Sequence, residues 1–163
     1  MYERETALLL LGDADDGQTW AAQWARGYPC AVHLDLARTP PDDTRADMAA
    51  FCAAHTCGRL AMAAHGAGVA TLATWWARAD WATRRRVAAL IFVLPESPPD
   101  HTLFGSTRFS CRTAWIADAR HIKAWQPTAQ TAGARLFAPA PPDSPRASPQ
   151  WTWGMRLLAQ MLD

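Results

Sequence analysis

The sequence predicts an α/β fold, a mostly parallel sheet of about five to six strands with helices on both faces. Three observations carry that prediction. Half of the 163 residues are apolar, enough to bury a sizeable core. Short apolar runs of strand length alternate strictly with stretches whose apolar residues recur at helical spacing. No internal repeat and no second block of composition interrupts the pattern, so residues 1–163 are expected to form one domain.

The elements follow in order. Residues 6–11 are a continuous apolar run closed by Gly12, as in a strand covered on both faces. GQTWAAQWARG places Trp20 and Trp24 at helical spacing and ends on Gly27. Residues 30–36 alternate weakly and read as a strand. RTPPDDTRADMAAFCAAHT combines a proline entry, acidic first-turn residues and apolar Met48, Phe51 and Cys52, which predicts a second helix. Residues 60–64 form a strand, 67–79 a helix and 87–94 the most hydrophobic strand, closed by Pro95. After a proline-rich polar loop come a strand at 113–117, a helix at 121–131 and a last strand at 135–138. APAPPDSPRASP has too many prolines for regular structure, and QWTWGMRLLAQML closes the chain as an amphipathic helix.

Composition excludes several function classes. A net charge of +1 with scattered charges offers no basic stripe for nucleic acid. The one dense patch, Arg84-Arg85-Arg86, reads as a solvated helix end before a strand rather than a phosphate site. Four cysteines, at 30, 52, 57 and 111, make no C-x-x-C pair and no metal spacing, so reduced, structural thiols are expected and no metal or other cofactor is implied. The apolar run near the start is short and flanked by acidic residues, unlike a signal peptide or membrane span. The expected location is the cytoplasm.

Parallel sheets bind ligands beyond the carboxyl ends of their strands. The segments to watch are therefore 12–17, 65–68, 95–106, 118–122 and 139–149. In the second of these, RLAMAAHGAGVATLATWW joins a strand through His65-Gly66-Ala67-Gly68 to a helix, the setting of a nucleophile elbow. The elbow pattern G-x-S-x-G reads A-H-G-A-G, and the position of the attacking oxygen has no side chain.

The order LLLLGDADDGQTWAAQW, RLAMAAHGAG, VAALIFVLPES and ARLF, followed by a tryptophan-containing terminal helix, resembles a small α/β-hydrolase (serine hydrolase) family. That family is typified by retinoblastoma-binding protein 9 and the bacterial YdeN-like proteins. The resemblance spans nearly the whole chain and implies a three-layer α/β-hydrolase-like fold. It also implies a Ser–His–Asp site, which does not carry over. The family's serine falls on Gly66, and its neighbouring elbow histidine on His65. The family's catalytic histidine should lie near Asp143, yet none of the five histidines (33, 55, 65, 101 and 121) follows position 121. The family's His-Gly pair after the first strand is Leu11-Gly12, and only Asp118 survives as a plausible acid.

Attack on an ester needs a nucleophile, a base within hydrogen-bond reach and an orienting acid. Losing the serine or the histidine alone costs a serine protease about 10⁶ in rate, about 8 kcal/mol. The ordinary triad reaction is therefore not expected. Glycine suits an elbow that no longer needs a hydroxyl, because it adopts the strained backbone without steric cost. Displaced nucleophiles carry less weight. Cys57 precedes the elbow strand, at the wrong end of the sheet, and Ser106, Ser110 and Cys111 have no adjacent histidine. His121 and Asp118 lie three apart at a helix start, where an N-cap aspartate explains the spacing better than a catalytic pair. Nine tryptophans read first as core packing and second as an aromatic partner groove.

Two functions of different class stand. One is a degenerate scaffold that binds a small molecule or a protein through a pocket drawn from Gly12, Asp13, His65, Gly66, Ala67, His101, Asp118 and His121. The other is a hydrolase of altered chemistry acting on a small ester or amide through non-triad residues.

Overall fold

The computed structural model describes residues 6–13, 19–28, 30–55, 58–97 and 99–163. Cys57 and, of the expected ligand-binding segment 12–17, residues 14–17 lie outside them. Six strands form one sheet: β1 (Thr6–Gly12), β2 (Ala31–Asp35), β3 (Arg59–Ala64), β4 (Val87–Val93), β5 (Arg112–Ile116) and β6 (Arg135–Phe137). All pairings are parallel, in the order β2-β1-β3-β4-β5-β6. The helices are α1 (Thr19–Gly27), α2 (Pro41–Ala54), α3 (Gly68–Arg78), α4 (Trp81–Arg86), α5 (Ile122–Ala132) and α6 (Thr152–Leu162). The segment 138–151, with its prolines, contains neither helix nor strand.

Successive strand residues point to opposite faces, so a strand buried on both sides must be apolar at every position. Leu9, Leu11, Met62, Phe92 and Trp115 meet α2, α3 and α5 through Met48, Phe51, Leu72, Trp76 and Trp125. Leu8, Leu10, Ala61, Ala63, Ala89, Ile91 and Ala114 face α1 and α6. The alanines on that second face leave room for bulky partners, and Trp20, Trp24 and Trp151 fill it. Trp20 meets Trp24 and Trp151 edge-on at 4.7 and 4.9 Å between ring centroids, and Trp24 stacks on Trp151 at 5.4 Å. Each such pair adds about 0.5–1.5 kcal/mol beyond area burial. Most of the tryptophans are therefore core. Trp75 and Trp153 are half-buried, and Trp81 stands 70% exposed.

Two expectations need correction in detail. The stretch before β4 forms its own short helix, α4, capped by the Asp80 carboxylate on the Thr83 N–H at 2.7 Å. The arginine cluster at its end is not simply solvated. Arg84 donates to the carbonyls of Trp76 and Ala77 at the end of α3, both at 3.0 Å. Arg86 donates to the carbonyls of Cys52 (2.8 Å) and His55 at the end of α2. Cations there satisfy carbonyls that a helix end leaves unpaired and oppose its dipole. Arg85 stays exposed, its guanidinium 4.5 Å from the Trp81 ring. No described helix is long and apolar enough to cross a membrane.

Candidate functional site

The carboxyl ends of β3, β4, β5 and β6 open onto a cleft of about 580 Å³. Its walls include Gly66 after β3, Val93 to Glu96 after β4, Ile116 to Ala119 after β5, and Pro139 to Pro141 with Ser144 to Ala147 in the loop after β6.

The elbow is built by close backbone approaches. Gly66 has φ +53°, the left-handed region that is costly for a residue with a Cβ. The His65 N–H donates to the Leu11 carbonyl at 2.9 Å, and the Gly68 N–H to the His65 carbonyl at 2.9 Å. A Cβ on Gly68 would sit 2.2 Å from the Leu11 carbonyl oxygen, and one on Gly12 would sit 2.2 Å from Nε2 of His65. Gly12 therefore makes the space that the His65 ring occupies. That ring is 1% exposed, 5.3 Å from Trp20 and 6.1 Å from His33. His65 belongs to the aromatic layer behind the turn and does not line the cleft.

Asp118 does line the cleft, but its carboxylate is fully engaged. Oδ1 accepts from the Arg120 N–H at 2.9 Å and from Arg120 Nε at 3.0 Å, and Oδ2 accepts from Nη2 at 3.0 Å. This fork-on-fork pairing with the Arg120 guanidinium, helped by the backbone N–H, holds the acid down at about 2. Asp118 does not serve as the N-cap of α5 in the way the spacing suggests. His121 occupies that position, and the aspartate closes the tighter turn onto Arg120 instead. The His121 N–H donates to the Asp118 carbonyl at 3.0 Å, and its ring is not part of the cleft wall.

The other candidates are dispersed. His101 hydrogen-bonds Thr128 Oγ1 at 2.6 Å and lines a separate hollow beside α5 with Phe104 and Pro127. Ala67 faces a groove between α2 and α3. Asp13 is half-buried just past β1, and Asp143 uses its carbonyl to accept from Trp151 Nε1 at 2.9 Å. Of the pocket residues named from sequence, Gly66 and Asp118 come together in the cleft. Ser110 and Cys111 lie just before β5, at the amino end of the sheet, and burial pushes the Cys111 thiol up to about 11. Ser106 is exposed in the loop before them and outside the cleft wall.

Three residues not singled out from sequence complete the rim. Glu96 Oε1 pairs with Arg146 Nε, and its Oε2 lies 3.9 Å from Arg120 Nη2. A chain of charges, Asp118–Arg120–Glu96–Arg146, therefore joins the loops after β5, β4 and β6. Where the resemblance implies a histidine in the last loop, the structure presents Arg146 held by a carboxylate. Ser144 is the one serine of the cleft wall among the described residues, and its Oγ accepts from the Ala147 N–H at 3.3 Å. No described histidine reaches that wall. The signal in sequence was only positional, since Glu96, Arg120 and Arg146 each follow the carboxyl end of a strand.

The chain matches no protein-family model and no curated protein sequence. Solved structures do match. A YdeN-like hydrolase of Pectobacterium atrosepticum superposes with a TM-score of 0.71 at 15% identity, over 97% of this chain and 91% of its own. An alpha-beta serine hydrolase homologue of Coxiella burnetii gives 0.60 at 12% identity, over 98% and 86%. The bottromycin epimerase BotH, solved with bottromycin A2, gives 0.63 at 16% identity, over 99% and 92%. The fold is that of the α/β-hydrolases, shared with neighbours named as hydrolases and with an epimerase.

Proposed function

We propose that this chain is a catalytically degenerate α/β-hydrolase-fold protein that binds a small molecule in the cleft at Gly66. The observation that carries the reading is the make-up of the cleft wall, which holds Gly66 from the elbow and Arg146 from the last loop and no described histidine. The elbow offers backbone where the resemblance puts a nucleophile, and the last loop, where it puts a base, gives the cleft a guanidinium clamped to Glu96 and no histidine. An arginine stays protonated and does not take a proton from a hydroxyl at neutral pH. What remains is an apolar slot with Val93, Leu94 and Ile116 in its walls and charged groups at its rim, within the volume range of small-ligand pockets.

Intact-protein mass after treatment with a fluorophosphonate probe tests this directly, with an active serine hydrolase as control. An unmodified mass is the expected result, followed by ligand hits in a thermal-shift screen that disappear in an Ala140→Trp variant. A stoichiometric adduct on Ser144, Ser106 or Ser110 would mean that nucleophilic catalysis has moved within the fold.

A second reading, an enzyme of altered chemistry acting on a small ester or amide, draws support from one neighbour being an epimerase. The same fold thus hosts chemistry other than hydrolysis. Glu96, whose side chain is 35% exposed at the rim, is then the group to follow. Turnover of a small ester or amide that vanishes in Glu96→Gln, without a fluorophosphonate adduct, would favour it over simple binding.

A further inference from the structure

A second hollow, of about 430 Å³, lies between α2 and α3 and shares no lining residue with the cleft at Gly66. Its α3 wall is one continuous helix face from Ala67 to Arg78, a run of about 16 Å at 1.5 Å per residue. Leu36, Pro41, Met48, Ala70 and Trp75 make it largely apolar.

Its polar groups are unequal. The hydroxyls of Thr39, Thr44 and Thr71 donate to the carbonyls of Asp35 (2.8 Å), Pro40 (3.1 Å) and Ala67 (3.2 Å), so their protons are already used. The charged groups of the lining are Arg45 and Arg78. Among the described residues neither guanidinium has an ion pair or hydrogen bond, and no acidic side chain lines the hollow. This contrasts with Arg84, Arg86, Arg120 and Arg146, each committed to a carbonyl or a carboxylate. An elongated apolar slot bordered by two uncommitted cations is complementary to an apolar chain bearing one negative head.

We propose that this groove binds a free, single-chain amphiphilic carboxylate, its chain laid along α3 and its head taken by Arg45 and Arg78. A bilayer surface is the poorer fit. Asp42, Asp43 and Asp47 are exposed on the same helix as Arg45 but outside the lining of the hollow, so they repel an extended anionic surface more than a single carboxylate seated within it. Asp80, two residues beyond Arg78, is occupied in capping α4.

Isothermal titration with decanoate, kept below its micellar concentration, tests the site. Saturable one-to-one binding is expected, and decanol and decyltrimethylammonium should bind more weakly than decanoate. Arg45→Gln and Arg78→Gln should each weaken decanoate about two- to fivefold, the range of a solvent-exposed ion pair, without changing decanol binding. Thr74→Trp, on an exposed helical position, should fill the groove and abolish decanoate binding while an unchanged melting temperature shows the fold intact. Absence of decanoate binding would overturn the proposal, as would equal affinity for decanol. Binding kept in Thr74→Trp but lost in Ala140→Trp would overturn it too, by moving the ligand to the other cleft. Pelleting with phosphatidylglycerol vesicles in place of saturable decanoate binding would show a membrane surface instead.

Discussion

Gly66 and Arg146 line the same cleft from two segments that are held by different physics. The elbow is fixed by backbone meeting backbone over a few residues. His65 bonds to Leu11, Gly68 lies against the Leu11 carbonyl, and Gly12 leaves space for the imidazole. The loop of residues 138–151 has no regular structure and is held by side chains: Trp151 above all, the Arg146–Glu96 pair, and Trp24, whose Nε1 donates to the Gln150 carbonyl at 3.0 Å. Trp151 adopts φ +42°, an uncommon backbone for a bulky residue, and its indole is fully buried between Trp20 and Trp24. Its Nε1 donates to the Asp143 carbonyl, its N–H donates to Ser148 Oγ at 3.0 Å, and Gly154 leaves the space its ring needs. Close backbone approach demands glycine and tolerates little change, whereas a loop hung on an aromatic anchor can vary its other residues freely. The elbow is thus the fixed wall of the cleft, and the loop is the wall free to diverge.

The sharpest way to break that contrast is to remove the anchor. Trp151→Ala should cost about 3–5 kcal/mol in urea unfolding, the range for truncating a buried tryptophan. The Glu96–Arg146 pair should weaken with it, because the loop bearing Arg146 loses its attachment. Trp151→Phe keeps the stacking and removes the N–H to Asp143, so a cost of about 1–3 kcal/mol is expected. Equal costs for the two variants would mean that the hydrogen bond, not the packing, holds the loop.

On the elbow side, Gly68→Ala and Gly12→Ala each insert one methyl group into a gap of 2.2 Å. Overpacking of this kind costs about 1–3 kcal/mol. Gly68→Ala should be the worse, since its obstacle is a backbone carbonyl, while the obstacle to Gly12→Ala is a side-chain ring. Chemical unfolding of the two variants decides the order, and the reverse order would show that the His65 layer is the more rigid part.

The difference between the two walls also explains what was legible in the sequence. The sheet was, because strands covered on both faces must be apolar over their length, as 7–12 and 87–93 are. The elbow was, because glycines at fixed spacing are forced by local geometry. Helix α4 was not, since six residues give too little periodicity to separate it from the element before it. The roles of Arg84 and Arg86 were not, because their acceptors belong to α2 and α3 and no pattern near the arginines announces them. The rim was hidden for the same reason. Glu96, Arg120 and Arg146 come from three loops and meet only when the sheet brings its strand ends together. Asp118 stands on the cleft wall, and its engagement by Arg120 depends on how the loop after β5 turns, which the spacing of the two residues does not announce.

Gly66→Ser probes the elbow at the position where the resemblance implies a nucleophile. A serine in the left-handed region costs about 1–2 kcal/mol. The variant should therefore unfold at slightly lower urea and show no hydrolysis of p-nitrophenyl acetate above the parent protein. Measurable esterase activity would reveal a base that the cleft wall does not display.

The smallest effect belongs to Asp118, and pH is the way to see it. Its carboxylate, held near 2 by Arg120, titrates below the ordinary aspartate value of about 3.9. Between those two values the unfolded chain binds the proton more readily than the native one. The contribution of the pair is therefore complete above about pH 4 and fades as pH falls through the native value. Asp118→Asn removes this dependence, so the urea midpoints of parent and variant should differ at pH 5 and converge towards pH 2. Arg120 is exposed beside a half-buried Asp118, so solvent screens the pair and the difference should be small, smaller still in high salt. A gap that persists unchanged at pH 2 would show that Asp118 acts through the turn it closes onto the Arg120 N–H, with the guanidinium as a bystander.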